Sequence, residues 1–267
     1  MLLAFQRQQC RCEISDTTQP AIAAKLVGWI ILFDMKWLSG VVAIGTFAVL
    51  YAFEKKRPLR KPVEDHETNA VRNLAIAAGA ALAINFVEKP VTGRLTKFVE
   101  NHGVGLVKMI RLPKFLETAL AVAALDYTLY LWHVLTHKLP FLWRFHRVHH
   151  ADLDLNAATA LRFHFGEIAI STIFRAGQIL IIGVSPGALK LWQEMLIISV
   201  LFHHSNLRLP KEFEETLSKF IVTPRLHGIH HSVRLDEMDS NWSSGLSVWD
   251  KLHGTFRDDV SQDAITI

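Results

Sequence analysis

Fourteen histidines occur in this chain of 267 residues, and eight of them fall into three short clusters. The clusters are His133-x3-His137, His146-x2-His149-His150 and His227-x2-His230-His231. Residues three and four apart share a face of a helix, so the spacing predicts that each cluster turns its rings in one direction. A tetrahedral zinc takes about four ligands. Eight convergent imidazoles exceed that and suit two metal ions held side by side. Buried imidazoles without metal would need many hydrogen-bond partners, which favours the metal reading.

The clusters sit among apolar segments. Half of the residues are hydrophobic, the mean hydropathy is +0.22 and only 20% are charged, a balance more apolar than soluble globular chains show. Trp37 to Phe53 is an uncharged run just long enough to span a bilayer, followed by the basic flank Lys55, Lys56, Arg57, Arg60 and Lys61. Asn73 to Val87 and Thr118 to Trp132 are two further runs, the last carrying Asp126. Ile168 to Phe202 reads as a hairpin turning at Gly183-Val184-Ser185-Pro186-Gly187. The net charge of +4 is modest and its basic residues are dispersed, which gives no support to nucleic-acid binding. Cys10 and Cys12 are too close in sequence for an unstrained disulfide and read as free thiols of a reducing compartment. Met1 to Phe5 is too short an apolar run for a signal peptide.

Topology supplies a test of the metal reading. With the basic segment 54–62 on the cytoplasmic side, the second apolar run leaves and the third returns, bringing His133 and His137 back. The 168–202 hairpin goes out and comes back with His203 and His204. All the clustered histidines therefore fall on one membrane face. The fold expected is all-α: an integral membrane helical protein with a cytosolic helical cap around a histidine-rich di-metal site.

Other metal chemistries fit less well. A zincin requires His-Glu-x2-His, whereas Arg147-Val148 and Gly228-Ile229 stand between these histidines. Deaminase-type zinc requires cysteine ligands. Soluble di-iron bundles use Glu with Glu-x2-His, a pattern this chain lacks. Imidazole suits iron, copper, zinc and nickel alike, so the ligand type leaves the metal open.

Leu142-Trp143-Arg144-Phe145-His146-Arg147-Val148-His149-His150 resembles the second histidine box of the fatty acid hydroxylase/sterol desaturase superfamily. Thr223-Pro224-Arg225-Leu226-His227-Gly228-Ile229-His230-His231-Ser232 resembles its last box. The stretch from Asn241 to Phe256, with Trp249-Asp250 and Gly254-Thr255, is similar to the family's ending. Arg162-Phe163-His164-x2-Glu167 and Phe202-His203-His204-Ser205-Asn206 resemble two intervening elements. The resemblance covers residues 115–257 as a catalytic domain. Residues 23–114 then serve as membrane anchor helices, with flexible tails at 1–22 and 258–267.

The resemblance implies that His133, His137, His146, His149, His150, His227, His230 and His231 are metal ligands, with His204 added. His164 is either a further ligand or a partner of Glu167, because Phe165 stands where the family commonly has proline. His203 and His253 are not ligands on this reading, and His66 and His102 are ordinary structural or solvated histidines. Asp126, two turns before His133 on the same helical face, either orients a ligand imidazole or pairs within the membrane.

The implied chemistry uses two iron ions, dioxygen and attack on an unactivated C–H bond of a membrane lipid, by hydroxylation or desaturation of a sterol-like or fatty-acyl substrate. No side chain supplies such an oxidant. The chain has no flavin, haem or dinucleotide motif, so electrons are expected from an external ferredoxin-like or cytochrome b5-like protein at the cytoplasmic face of a bacterial cytoplasmic membrane or the endoplasmic reticulum. Phe163, Phe165 and Trp143 either shape a substrate channel or simply pack. Three alternatives stand beside this reading: an ether-lipid-cleaving monooxygenase of the same superfamily, a metal-handling or transport protein, and an inactive scaffold of the same fold.

Overall fold

Membrane helices are recognised by what they turn inward. The computed structural model describes residues 40–267, and Ala43–Ile267 form one compact unit. The sequence-predicted tail with Cys10 and Cys12 and the first residues of the Trp37–Phe53 run lie outside the described residues. Among the described residues the chain is helical and forms no strand, only two isolated bridges.

Helix α1 covers residues 40–56. Helix α2, His66–Ala83, starts at Asp65, whose carboxylate accepts from the Thr68 backbone N–H at 2.9 Å, a standard N-cap. Its inward face is polar and small (Asn69, Ala70, Asn73, Ala80, Ala83). Its outward face is apolar, with Val71 69% and Phe86 just beyond it 77% exposed. Small and polar inside with apolar outside is the arrangement that lipid favours. A π-turn at Ile84–Glu88 leads into α3, Lys89–His102. Pro90 in the first turn of α3 offers no N–H and crowds the carbonyl four residues earlier. The wider π-turn absorbs that clash. Gly103, at φ 64°, closes α3 in the left-handed conformation that glycine adopts freely.

A short helix α4, Leu106–Met109, precedes α5, Lys114–Lys138. At 25 residues α5 reaches about 37 Å, enough to cross the ~30 Å hydrocarbon layer. Helix α6, Pro140–His150, follows after one residue. Helix α7, Phe165–Gln178, ends in a second π-turn at Ile179–Gly183, and α8, Pro186–His204, returns from a cap at Ser185. Four short helices complete the chain: α9 Lys211–Leu217, α10 Pro224–His230, α11 Leu235–Met238 and α12 Val248–His253. Among the described residues three helical stretches are long and apolar enough to cross a membrane, His66–Met109, Lys114–Lys138 and Phe165–Gly183.

Helices α2 and α5 extend past the apolar runs that announce them. The polar residues at their ends continue the helical hydrogen bonds beyond the apolar part, so His133, His137 and Lys138 belong to α5 itself. At the opposite end of the bundle an apolar cluster including Val99, Leu125, Ile179, Val184 and Trp192 holds α3, α5, α7 and α8 together. There Gly105 (φ 103°) lies against Gly183 (φ 90°), and a Cβ on Gly105 would overlap the Gly183 backbone. Gly105→Ala therefore meets both a forbidden φ and a steric clash. It should destabilise the chain by about 2 kcal/mol or more, read as a lowered Tm in detergent, whereas Gly187→Ala, with open space around its Cα, should change little.

Candidate metal centre

The one-residue link between α5 and α6 decides the site. Pro140 starts α6 immediately after Leu139, folding α6 back beside the end of α5. Helix α10, begun by Thr223 and Pro224, brings its histidines to the same point, and α8 ends there at His204.

Two groups of imidazoles result. His133, His137, His146, His150 and His230 form one, and His149, His204, His227 and His231 form the other. Within each group the candidate ligand atoms all lie within 4.8 Å of one another. Nine of the ten histidines singled out in the sequence are thus brought together. Adjacent positions separate them: His149 and His150 point to different groups, as do His230 and His231, since consecutive helical residues diverge by about 100°. The groups touch, for the His150 and His231 rings stack with centroids 4.2 Å apart.

The outer nitrogen of several rings is tied to an acceptor. His133 Nδ1 lies 2.6 Å from the Trp242 carbonyl, His230 Nδ1 2.9 Å from the Ser240 carbonyl, His204 Nδ1 2.8 Å from the Val200 carbonyl and His146 Nδ1 2.9 Å from Glu167 Oε1. A carbonyl can only accept, so Nδ1 of His133, His204 and His230 carries the proton. In the neutral ring Nε2 is then a bare lone pair. Nε2 of His137, His146, His150, His230 and His231 is buried without a hydrogen-bond partner. Nε2 of His204 lies 2.8 Å from His149 Nε2 and 3.0 Å from His227 Nε2. Unpartnered buried nitrogens are costly. Nitrogens gathered around common points, with four of the rings held on their outer side by oxygen acceptors, fit the ligand shell of a cation.

Burial, followed by the neighbouring imidazoles, pushes the pKa of His150 and His231 well below the usual histidine value. The same causes in the same order depress His149 and His227. Burial again leads for His230, followed by His133 and His146. These rings are therefore neutral at physiological pH, the state that ligates metal.

The ending from Asn241 to Thr255 is the buttress of this shell. Asn241 adopts φ 51° and its carboxamide donates to the carbonyls of Leu226 and Arg257. Asp250 accepts from the backbone N–H of Trp242 at 2.8 Å and of Ser243 at 3.0 Å, fixing the Trp242 carbonyl that holds His133. The buried Trp242 indole walls the first group, 4.5 Å from the His137 ring and 5.0 Å from His230. Trp143 covers His137 from α6 at 4.9 Å, and Phe163 stacks on His149 at 4.6 Å.

Two further residues singled out in the sequence take partners outside the two groups. His164 belongs to neither group: its Nδ1 accepts the Gly166 backbone N–H at 2.9 Å and caps α7, while Glu167 partners His146 instead. Asp126 touches no imidazole. It accepts from Trp249 Nε1 at 2.7 Å and the Leu246 N–H at 3.1 Å, clasping the terminal segment onto α5 where Gly245 leaves no room for a Cβ. The backbone acceptors at Val200, Ser240 and Trp242 have no side-chain signature and were missed.

Residues 118–255 match the Fatty acid hydroxylase family. The chain belongs to that family. It is similar to the ornithine lipid hydroxylase OlsE of Rhizobium tropici, 29% identical over 91% of this chain and 75% of the relative. It is also similar to human alkylglycerol monooxygenase, 32% identical over 51% of this chain and 29% of the relative. A third relative is the cholesterol 25-hydroxylase-like protein of Danio rerio, 29% identical over 52% of this chain and 55% of the relative. The chain thus spans most of the first relative and under a third of the second. No solved structure matches it. Membership makes this fatty acid hydroxylase family chain an oxidoreductase.

Two expectations follow from the shell. Glu167→Leu should weaken metal binding by the first group 10- to 100-fold, measured by chelator competition. In the chelated protein, the depressed histidines take up protons only on unfolding once pH falls below the ordinary value of 6.5. Folding stability should therefore be level from pH 8 to 7 and fall steeply between about 6.5 and 5, a window above the usual carboxylate range. A Tm independent of pH across that window would contradict the neutral-imidazole assignment.

Proposed function

We propose that the chain is a membrane-bound di-iron oxygenase acting on a C–H bond of a lipid, by hydroxylation or desaturation. One iron would be held by His133, His137, His146, His150 and His230, the other by His149, His204, His227 and His231. The observation that carries this reading is the gathering of nine imidazoles into two groups, with five Nε2 atoms buried without partners and four of the rings held by acceptors on their outer side. When bound, iron supplies the activation of dioxygen that no side chain provides.

The protein's own residues do the rest. Carbonyls of Val200, Ser240 and Trp242 keep His204, His230 and His133 in the ligating tautomer. Trp242, Trp143 and Phe163 shield the groups from water. The outward apolar faces of α2, α5 and α7 lie in the hydrocarbon and leave the substrate to arrive sideways. The relatives' names specify an ornithine lipid, an alkylglycerol and cholesterol, molecules with a polar end and a long or polycyclic apolar body, and that class is the substrate proposed. Attack beside an ether oxygen is the variant that the alkylglycerol relative suggests. The basic flank after α1 supports a cytoplasmic position for the metal centre, where an external one-electron carrier would deliver electrons. Metal transport fits less well, since the imidazoles cluster at helix ends rather than along a membrane path.

Detergent-purified protein should contain about two irons per chain, with a nitrogen-rich shell in X-ray absorption. His146→Ala and His230→Ala should still insert into membranes but lose iron and incorporation of 18O from labelled dioxygen into lipid. Full iron content and turnover in either variant would refute the ligand assignment.

A further inference from the structure

A buried polar cluster lies next to the metal centre and outside the ligand shell. Asp152, two residues after His150, is buried, as are Asn69, Asn73, Asn156 and Thr159. Both oxygens of Asp152 are saturated. Oδ1 accepts from Asn69 Nδ2 at 2.7 Å and from Arg72 Nη2 at 3.2 Å. Oδ2 accepts from Asn73 Nδ2 at 2.6 Å and from Thr159 Oγ1 at 2.7 Å. Asn69 Oδ1 in turn accepts from Asn73 and Asn156. Arg162 closes the loop: its Nη1 donates to Asn73 Oδ1 and its Nε to the Val148 carbonyl, each at 2.7 Å.

The cluster grips the chain on both sides of two adjacent histidines. Val148 precedes His149 and Asp152 follows His150, and each attachment leads to Asn73 of α2. His149 belongs to one imidazole group and His150 to the other. Helix α2 lies outside residues 118–255, the stretch that carries the family match. A membrane anchor requires no carboxamides facing inward. A buried carboxylate saturated by four donors is expensive to assemble and is rigid once assembled.

We propose that α2 is part of the metal centre rather than only an anchor: Asn73, through Asp152 and Arg162, is a positioning residue that fixes the last turn of α6 so that His149 and His150 face their separate groups. The inference rests on the two-metal reading above. Loosening the clamp frees both rings at once, so both metal positions weaken together, unlike loss of Glu167, which touches only His146.

The test uses the full-length chain in detergent, with Asn73→Leu, Arg162→Lys and, as a control, Gln178→Leu. Gln178 donates to Thr128 Oγ1 in the membrane bundle at 2.5 Å, so its loss also removes a buried hydrogen bond, but away from the clamp. Two quantities are read: ferrous iron affinity by chelator competition, and hydrogen exchange of the 145–155 segment in metal-free protein. Asn73→Leu should lower affinity for both irons 10- to 100-fold and speed exchange of that segment. Arg162→Lys, which keeps the charge but lacks the fork that reaches Asn73 and Val148 together, should do the same to a smaller extent and covers the case in which Asn73→Leu fails to fold. Gln178→Leu should lower Tm alone. The clamp is refuted if the clamp variants keep affinity and protection within twofold of wild type, or if Gln178→Leu lowers affinity equally. Wild-type protein without iron would instead sink the di-iron reading, while the exchange measurement in metal-free protein still decides the clamp.

Discussion

Everything near the candidate metal centre follows from the cost of burying an imidazole nitrogen without a partner. A lone buried histidine solves this with two hydrogen bonds. Here the inner nitrogens of nine rings are crowded together, and only His133, His146, His204 and His230 meet an acceptor on the outer side. Neutral rings in this arrangement present lone pairs to one another, which is unfavourable until a cation sits among them. The arrangement therefore makes sense as a ligand shell and poorly as a packed core.

The supporting layers obey the same logic at increasing distance. Backbone carbonyls at Val200, Ser240 and Trp242 fix tautomers. Asp250 and Asn241 fix the strand of chain that carries the Ser240 and Trp242 carbonyls. Asp126 fastens the following segment to α5, so that the sequence from 240 to 255 wraps one side of the centre. Glu167 and the Asp152 cluster support the α6 side. The carboxylates of Asp250 and Asp152 are buried and both oxygens of each are matched by donors, which is the condition for tolerating charge in an apolar surrounding.

The membrane helices show the inverse pattern of a soluble protein. Helix α2 turns Asn69 and Asn73 inward and Val71, Leu74 and Leu82 outward. Lipid solvates the apolar side at no cost, while the polar side must find partners within the protein. Hydropathy thus locates the helix and says little about its inward face, where its work is done.

The sequence by itself determined the helices, the membrane character and the convergence of the histidines. Apolar run lengths are set by bilayer thickness, and the His-x2-His-His spacing is set by the helical repeat; both are local physics. His164 and Asp126 were not legible in the same way, because a histidine at a helix start and a carboxylate two turns from a clustered histidine have several local solutions. Only the tertiary structure assigned His164 to the α7 cap and Asp126 to Trp249. It alone decided that His149 and His150 serve different groups, since that depends on how α8 and α10 approach α6. It alone supplied the carbonyl acceptors, because every residue has a carbonyl and only packing determines which ones face an imidazole.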